Sequence, residues 1–177
     1  RIPLKYSCHA ENISPPLDWT GATDEVASYA LIAENVDHDA GNWVHWVIYD
    51  IPVSATGFPE GISTSTSVLP DGTTQGTNDK KQIGYSGPCP PVVWYNRQSH
   101  QFQSELFKVH RHFFTLYALD VKLELAPGLT KDKLLEAMEG HIVAQADVHG
   151  EFMPPKLLIE KGGGGMFGTA KTPTPVP

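Results

Sequence analysis

The sequence lacks the features that mark two large classes of protein. Its longest apolar stretches, such as Val26–Ala33, fall well short of the roughly 18 residues that a membrane-spanning helix needs. Basic residues are also few, with 13 Lys and Arg against 20 Asp and Glu, so the formal net charge is −7. Because neutralisation of a phosphate backbone needs clustered Lys and Arg, nucleic-acid binding is not expected. The composition predicts a soluble, acidic protein that neither spans a membrane nor binds nucleic acid.

Cysteine is scarce too, and the two cysteines lie far apart. Cys8 and Cys89 are too widely spaced for a compact zinc knuckle. In a cytosolic protein they would be two thiols, whereas in an oxidising compartment they could form a disulfide bridge. The sequence leaves both states open, and with them a cytoplasmic or a periplasmic or secreted location. No nucleophile stands beside a recognisable general base, and neither a cofactor nor a resident metal is expected.

Glycine and proline, by contrast, are abundant. The 16 Gly and 15 Pro among 177 residues exceed the average share of about 12%, which favours short strands joined by turns over a helical bundle. Three stretches rich in β-branched and aromatic residues are predicted strands: Ser28–Val36, Trp43–Ile51 and Phe107–Glu124. The period of two in the last strand puts His110 and His112 on one face.

One helix is predicted in the last third of the chain. Thr130 is a suitable N-cap for a helical stripe over Lys131–Glu139. The next segment, Gly140–Phe152, is predicted to change from helix to strand.

Two stretches have no periodic pattern. Gly61–Lys81 is polar and is predicted to be a long surface excursion that contains one short strand. Residues 161–177 are rich in glycine and proline and are predicted to be a tail. Residues 1–160 are then a single domain, which is an ordinary size for one hydrophobic core.

Carboxylates and an imidazole lie close together around the second predicted strand. Asp37 and Asp39 follow the first strand, and His45 opens the next one, beside Trp43. Carboxylates accept hydrogen bonds from an ammonium group, while imidazole N–H groups and loop amides donate to a phosphate. Because two neighbouring carboxylates resist joint ionisation, a protonated His45 or His110 is expected to supply positive charge there.

Two further elements complete the candidate site. His110 and His112 share a strand face, and a rigid turn over Gly87–Pro91 contributes Pro88 and Pro90. The glycine of this turn would let the backbone approach a ligand closely. The combination predicts a pocket for a small anion or a zwitterion. Each part alone also has a plain structural explanation, since paired aspartates cap turns and tryptophan is more often a core residue.

A metal-dependent enzyme is the alternative interpretation. His45, His110 and His112, with Asp37 or Asp39, would make a His/carboxylate site suited to zinc or iron. Protein purified without added metal would then carry near-stoichiometric Zn or Fe. A binding protein would instead be metal-free and would bind phosphate or phosphoethanolamine.

Five ordered motifs resemble the phosphatidylethanolamine-binding protein family, and above all its bacterial and archaeal branch. This is the family of the Raf-kinase-inhibitor-like proteins. The resemblance runs from about Ile2 to Phe152. Its motifs are Asn12-Ile13-Ser14-Pro15-Pro16-Leu17-Asp18-Trp19, Asp37-x-Asp39-Ala40, His45-Trp46-Val47, Gly84-Tyr85-x-Gly87-Pro88-Cys89-Pro90-Pro91, and His110-Arg111 with Leu116-Tyr117-Ala118-Leu119-Asp120.

The resemblance implies a mainly β fold: two packed, mostly antiparallel sheets with a few peripheral helices. It also implies a small anion pocket near one end of the sheets. The expected function is that of a non-enzymatic protein that binds a phosphate-containing or other anionic group, such as a phospholipid headgroup, and inhibits a kinase or a protease. The ligand-binding residues carried over by motif, together with His112, are Asp37, Asp39, Trp43, His45, Gly87, Pro88, Pro90 and His110.

Three departures from the family pattern stand out. His38 replaces the proline between the two aspartates, and His112 replaces the tyrosine that follows His110-Arg111 in the family. Related bacterial sequences need only a few residues where this chain has Val92–Val109. That insertion is rich in aromatic residues, and we expect it to wall the ligand site or to form a homodimer contact beside it.

Overall fold

The computed structural model describes residues 1–90, 93–96, 101–102, 108–153 and 156–158. For the three shortest of these stretches, 93–96, 101–102 and 156–158, the backbone is described. The predicted tail over residues 161–177 lies outside the described residues. Most of the Val92–Val109 insertion lies outside them as well.

A five-stranded antiparallel sheet is the centre of the fold. A 3₁₀ turn over Leu4–Tyr6 precedes the strands. The strands are β1 (Leu17–Asp18), β2 (Ser28–Asn35), β3 (Trp43–Pro52), β4 (Gly57–Phe58), β5 (Thr74–Gln75), β6 (Val93–Asn96), β7 (Gln101–Phe102), β8 (His110–Leu119), β9 (Ile142–Phe152) and β10 (Lys156–Leu158), with helix α1 (Lys131–Met138) before β9. The order in the large sheet is β5-β3-β2-β8-β9, and β1 pairs with β4 in a second antiparallel sheet.

Both faces of the large sheet are apolar, because each of its central strands alternates between two cores. On one face Leu31, Trp46 and Ile48 pack with Phe58 of the small sheet. On the other face Ile32, Val47 and Tyr49 pack under the helix. A strand covered on both sides is apolar on both of its faces, as β2 is over Tyr29–Ala33 and β3 is over Trp46–Tyr49. The predicted mainly β fold with two packed antiparallel sheets is confirmed.

Helix α1 is the one α-helix among the described residues, so the few peripheral helices of the prediction reduce to one. It begins after Thr130, as predicted, but the threonine side chain makes no capping hydrogen bond. Leu134 and Met138, one turn apart, are fully buried against the large sheet. No helix in the described ranges is long and apolar enough to cross a membrane.

The segment Gly61–Lys81 is less superficial than predicted. It contains the one short strand expected, β5, but Gln75 in that strand is fully buried. The Gln75 amide donates to the carbonyl oxygens of Ser63 and Thr66 at 2.7 and 2.8 Å, and it accepts a hydrogen bond from the Trp46 indole at 3.1 Å. The buried Gln75 amide thus satisfies loop carbonyl groups that have no strand partner to bond them.

The longest predicted strand is shorter in the structure, and the helix-to-strand segment is a strand. β8 ends at Leu119, and farther along the chain the carboxylate of Asp50 accepts hydrogen bonds from the backbone N–H groups of Leu123 and Glu124. Gly140 turns the chain with a positive φ of 80°. The whole of β9 then pairs with β8, from Ile142↔Leu119 to Phe152↔His110. Pairing along a full neighbouring strand overrides weak local helix propensity.

The insertion takes part in a separate pairing. Its strands β6 and β7 are antiparallel, and β10 adds to β6 in parallel, which gives a three-stranded sheet in the order β10-β6-β7.

Candidate functional site

A cavity of about 400 Å³ lies where β2 ends, β3 begins and β8 begins. The turn over Pro88–Pro90 closes one side, and the end of β9 closes another. Its walls combine apolar surfaces with nitrogen-bearing side chains. The lining residues are Asn35, His38, Asp39, Trp43, His45, Lys80, Pro88, Cys89, Pro90, Lys108, His110, His112 and Phe152.

Most of the residues singled out in the sequence meet at this cavity. Seven of the nine are in the lining: Asp39, Trp43, His45, Pro88, Pro90, His110 and His112. The other two, Asp37 and Gly87, are nearby but are not in the lining. The register explains the meeting, since Asn35 pairs with both Trp43 and His112 across β2.

The two buried histidines form a hydrogen-bonded pair with defined protons. His45 and His112 are 5% and 3% exposed. Nδ1 of His45 lies 2.7 Å from the carbonyl oxygen of Ser86, which can only accept, so Nδ1 carries the proton. Nε2 of His45 then accepts from Nδ1–H of His112 at 3.1 Å. Nε2 of His112 remains an acceptor, shielded from solvent and without a partner in the described part of the chain.

Burial keeps this pair uncharged. Desolvation is the largest cause of the shift for both residues, and it lowers the pKa of His45 to about 4 and that of His112 to about 3. Of the two histidines expected to supply positive charge beside the carboxylates, His45 therefore does not. The second histidine lowers the pKa of His112 further, since two imidazolium ions in contact repel each other.

Arginine and lysine side chains neutralise the two carboxylates instead. Arg111 donates hydrogen bonds to the Asp37 carboxylate from its guanidinium, at 2.6 and 2.9 Å, and from its backbone N–H, at 2.8 Å. These bonds hold the pKa of the Asp37 carboxyl far below its ordinary range. Lys108 pairs with Asp39 at 3.0 Å and lowers the pKa of that exposed carboxyl too. Each of the two carboxylates thus has its own cationic partner, Arg111 for Asp37 and Lys108 for Asp39.

The N-terminal segment is attached to the turn that walls the cavity. Cys8 and Cys89 are joined by a disulfide bond, with their Cα atoms 5.2 Å apart. The backbone N–H of Cys8 donates to the Pro88 carbonyl at 3.1 Å, and Nε2 of His9 lies 2.8 Å from the Pro90 carbonyl oxygen. The cavity wall is therefore held by a covalent bond and by hydrogen bonds on both sides of it.

Gly87 allows the N-terminal segment to pack against the turn, and it does not line the cavity. A Cβ atom on Gly87 would lie 1.9 Å from the carbonyl oxygen of Tyr6, which also accepts the Tyr85 hydroxyl hydrogen bond at 2.7 Å. The close backbone approach that the glycine permits is thus that of the N-terminal segment.

We expect Gly87→Ala to lower the free energy of unfolding by about 2 kcal/mol, the usual cost of forcing atoms into a packed site. Thermal unfolding followed by circular dichroism measures this. A melting temperature equal to that of the wild type would show that the Tyr6 carbonyl moves aside at no cost.

Sequence reasoning missed six lining residues as part of the site, and few signals pointed to them. They are Asn35, His38, Lys80, Cys89, Lys108 and Phe152. His38 was visible as a departure from the family motif and Cys89 as a disulfide candidate. Lys80 lies in the aperiodic loop, and Phe152 reaches the cavity only because it pairs with His110.

The donor set does not favour the metal-site alternative. Both nitrogens of His45 are already bound, to the Ser86 carbonyl and to His112. Nδ1 of His110 lies 3.0 Å from the Asn35 amide nitrogen. Among the residues that the structure describes, no group of three His, Cys, Asp or Glu side chains is placed to hold a metal ion.

Known proteins with the same sequence pattern and fold define the class to which this site belongs. The sequence model of the phosphatidylethanolamine-binding protein family matches residues 1–153. A UPF0098 protein of Methanothermobacter thermautotrophicus is 46% identical over 150 residues, which cover 85% of this chain and 89% of that protein. A UPF0098 protein of Chlamydia muridarum is 38% identical, with the same coverage of the two chains.

Solved structures of two members of this family have the same fold as this chain. A phosphatidylethanolamine-binding protein homologue of Chlamydia trachomatis superposes with a TM-score of 0.68 at 36% identity, covering 85% of this chain and 88% of that one. YbcL of Escherichia coli, described as a member of the mammalian family, superposes with a TM-score of 0.68 at 25% identity, covering 83% and 84%. The chain belongs to the phosphatidylethanolamine-binding protein family.

Proposed function

We propose that this protein is a non-enzymatic binding protein that holds a small phosphate-containing or other anionic ligand in the cavity. The observation that carries the proposal is the cavity itself, which combines an apolar wall with convergent nitrogen donors. Trp43, Phe152 and the proline turn form the wall, and Lys80 and Lys108 bring positive charge to it. Ligand sites of this size typically pair apolar lining with a few orienting polar groups.

The charges favour an anion. Lys108 is balanced by Asp39, whereas Lys80 has no ion pair with any residue in the described ranges. Lysine binds phosphate as a compact point charge. A phosphoethanolamine headgroup would fit such a site, with its phosphate at the lysines and its ammonium near the exposed carboxylate of Asp39.

The buried histidine pair supports binding rather than catalysis. Both nitrogens of His45 are used inside the protein, and Nε2 of His112 is shielded from solvent. A general base must come within hydrogen-bond reach of the proton it removes. Neither buried imidazole offers a ligand such a nitrogen in this arrangement.

We expect Lys80→Ala to weaken the binding of inorganic phosphate and of phosphoethanolamine about tenfold, which is the effect of losing one charge-assisted contact. Lys108→Ala should have a smaller effect, because Asp39 already neutralises that lysine. Isothermal titration calorimetry at pH 7.5 and low salt measures both. Lys133→Ala, an exposed lysine on α1 across the sheet, is the matched control and should bind like the wild type. Equal affinities for Lys80→Ala and Lys133→Ala would contradict the proposal that the anion binds at Lys80 in the cavity.

The family resemblance also supports an inhibitory activity against a kinase or a protease, and the aromatic residues of the Val92–Val109 insertion support a homodimer contact. Inhibition assays with and without saturating phosphoethanolamine test the first, and light scattering tests the second. An oxidising compartment, periplasmic or extracellular, suits the disulfide bond.

A further inference from the structure

We propose that Asn35 is a positioning residue that fixes His110 as the tautomer with its proton on Nε2, so that the cavity presents an imidazole N–H to its ligand. The inference rests on the proposed function for the identity of the ligand as an anion. Its structural basis is a chain of two hydrogen bonds at the end of β2, which links the backbone N–H of Asp37, the amide of Asn35 and the imidazole of His110.

The orientation of the Asn35 amide is determined by a backbone group. Asn35 is 6% exposed, and its Oδ1 lies 2.9 Å from the backbone nitrogen of Asp37. A backbone N–H can only donate, so the atom facing it must be the amide oxygen. The other end of the same amide, Nδ2, then faces Nδ1 of His110 at 3.0 Å.

That orientation determines the proton on His110. The Nδ2 group of asparagine is only a donor, so Nδ1 of His110 must accept and cannot carry a proton. In a neutral imidazole the proton then sits on Nε2. The tautomer of His110 is thus set by the backbone N–H of Asp37, which acts through the side chain of Asn35.

His110 is suited to meet a ligand because its Nε2 is unoccupied in the described part of the chain. Of the three predicted histidines, His45 has both nitrogens bound, and the remaining nitrogen of His112 is shielded from solvent. The His110 ring lines the cavity, near Lys108. Its N–H is therefore a fixed donor beside a cation, which is how proteins orient oxyanions.

Nitrogen-15 correlation spectra of the histidine rings test the tautomer directly. In the wild type we expect His110 to carry its proton on Nε2. Asn35→Asp keeps the size of the side chain and the acceptor for the Asp37 N–H, but it places an acceptor opposite Nδ1, so His110 should now be protonated on Nδ1. A wild-type spectrum with the proton on Nδ1, or an unchanged His110 in Asn35→Asp, would overturn the proposal.

A double-mutant cycle tests the consequence for binding. Because the added charge of Asn35→Asp itself repels an anion, the cycle uses Asn35→Ala and His110→Ala with inorganic phosphate at pH 8. We expect Asn35→Ala to weaken binding about fivefold in the wild-type background and not at all in the His110→Ala background. Asn42→Ala, an exposed asparagine in the following turn, is the control.

The outcomes separate the two proposals. The same loss for Asn35→Ala in both backgrounds would mean that Asn35 merely supports the fold, and would overturn the positioning role. If the wild type binds no phosphate at all, the proposed function fails, and the ring spectra still decide whether Asn35 sets the tautomer of His110.

Discussion

Replacing both cysteines by serine is expected to lower the free energy of unfolding by about 4 kcal/mol. The bond between Cys8 and Cys89 closes a loop with a sequence separation of 81. Cross-linking positions so far apart removes much of the chain entropy of the unfolded state. For a protein of this length the melting temperature should fall by roughly 12 °C.

Urea denaturation of the Cys8→Ser/Cys89→Ser variant measures this loss. Wild type that has been reduced with a dithiol and alkylated should unfold at the same urea concentration as the variant. Mass spectrometry after alkylation without reductant must find no labelled cysteine in the isolated wild type. Two labelled cysteines would show that the bond is absent from the protein, and an unchanged unfolding midpoint would show that it adds no stability.

Acid is expected to destabilise the protein from about pH 6.5 downward, a loss that begins before most carboxylates protonate. In the folded state the pKa values of His45 and His112 are lowered to about 4 and about 3, with burial as the largest cause. In the unfolded chain both rings recover the ordinary value of about 6.5. Below that pH the unfolded state binds up to two more protons than the folded state. The stability is therefore complete above pH 6.5 and falls as the pH drops, by about 3 kcal/mol per pH unit where both rings titrate.

His112→Phe should roughly halve this pH slope, because one of the two titrating rings is gone. The change also removes the unpartnered Nε2 acceptor, although it leaves Nε2 of His45 without a donor. Tyr117→Phe, on the same strand, keeps both imidazoles and should retain the full slope. Urea midpoints measured from pH 4.5 to 7.5 give the comparison. A wild type whose stability is flat over that range would contradict the uncharged, buried state of the pair.

Much of the site could be predicted because local sequence determines where strands end. Asp39, Trp43 and His110 each lie near the end of a predicted strand. The end of β2 and the beginnings of β3 and β8 meet at one end of the sheet, where the cavity lies. The partner of each polar group could not be predicted. The sequence predicts Asp37 as a ligand-binding residue but does not predict that Arg111 binds its carboxylate, as it does in the structure. Such pairings depend on strand register, which the sequence of one strand does not contain.

Stretches rich in β-branched and aromatic residues by themselves determined β2, β3 and most of β8, because such side chains pack well on a pleated, buried surface. The ordered motifs determined the family. Only the tertiary structure decided the states of the site. Burial, the largest cause of the lowered pKa values that keep His45 and His112 uncharged, is a property of the assembled core. The tautomer of His110 required Asn35 to arrive from a neighbouring strand, and Phe152 reached the cavity only when β9 paired along the whole of β8, a non-local contact that overrode the local pattern.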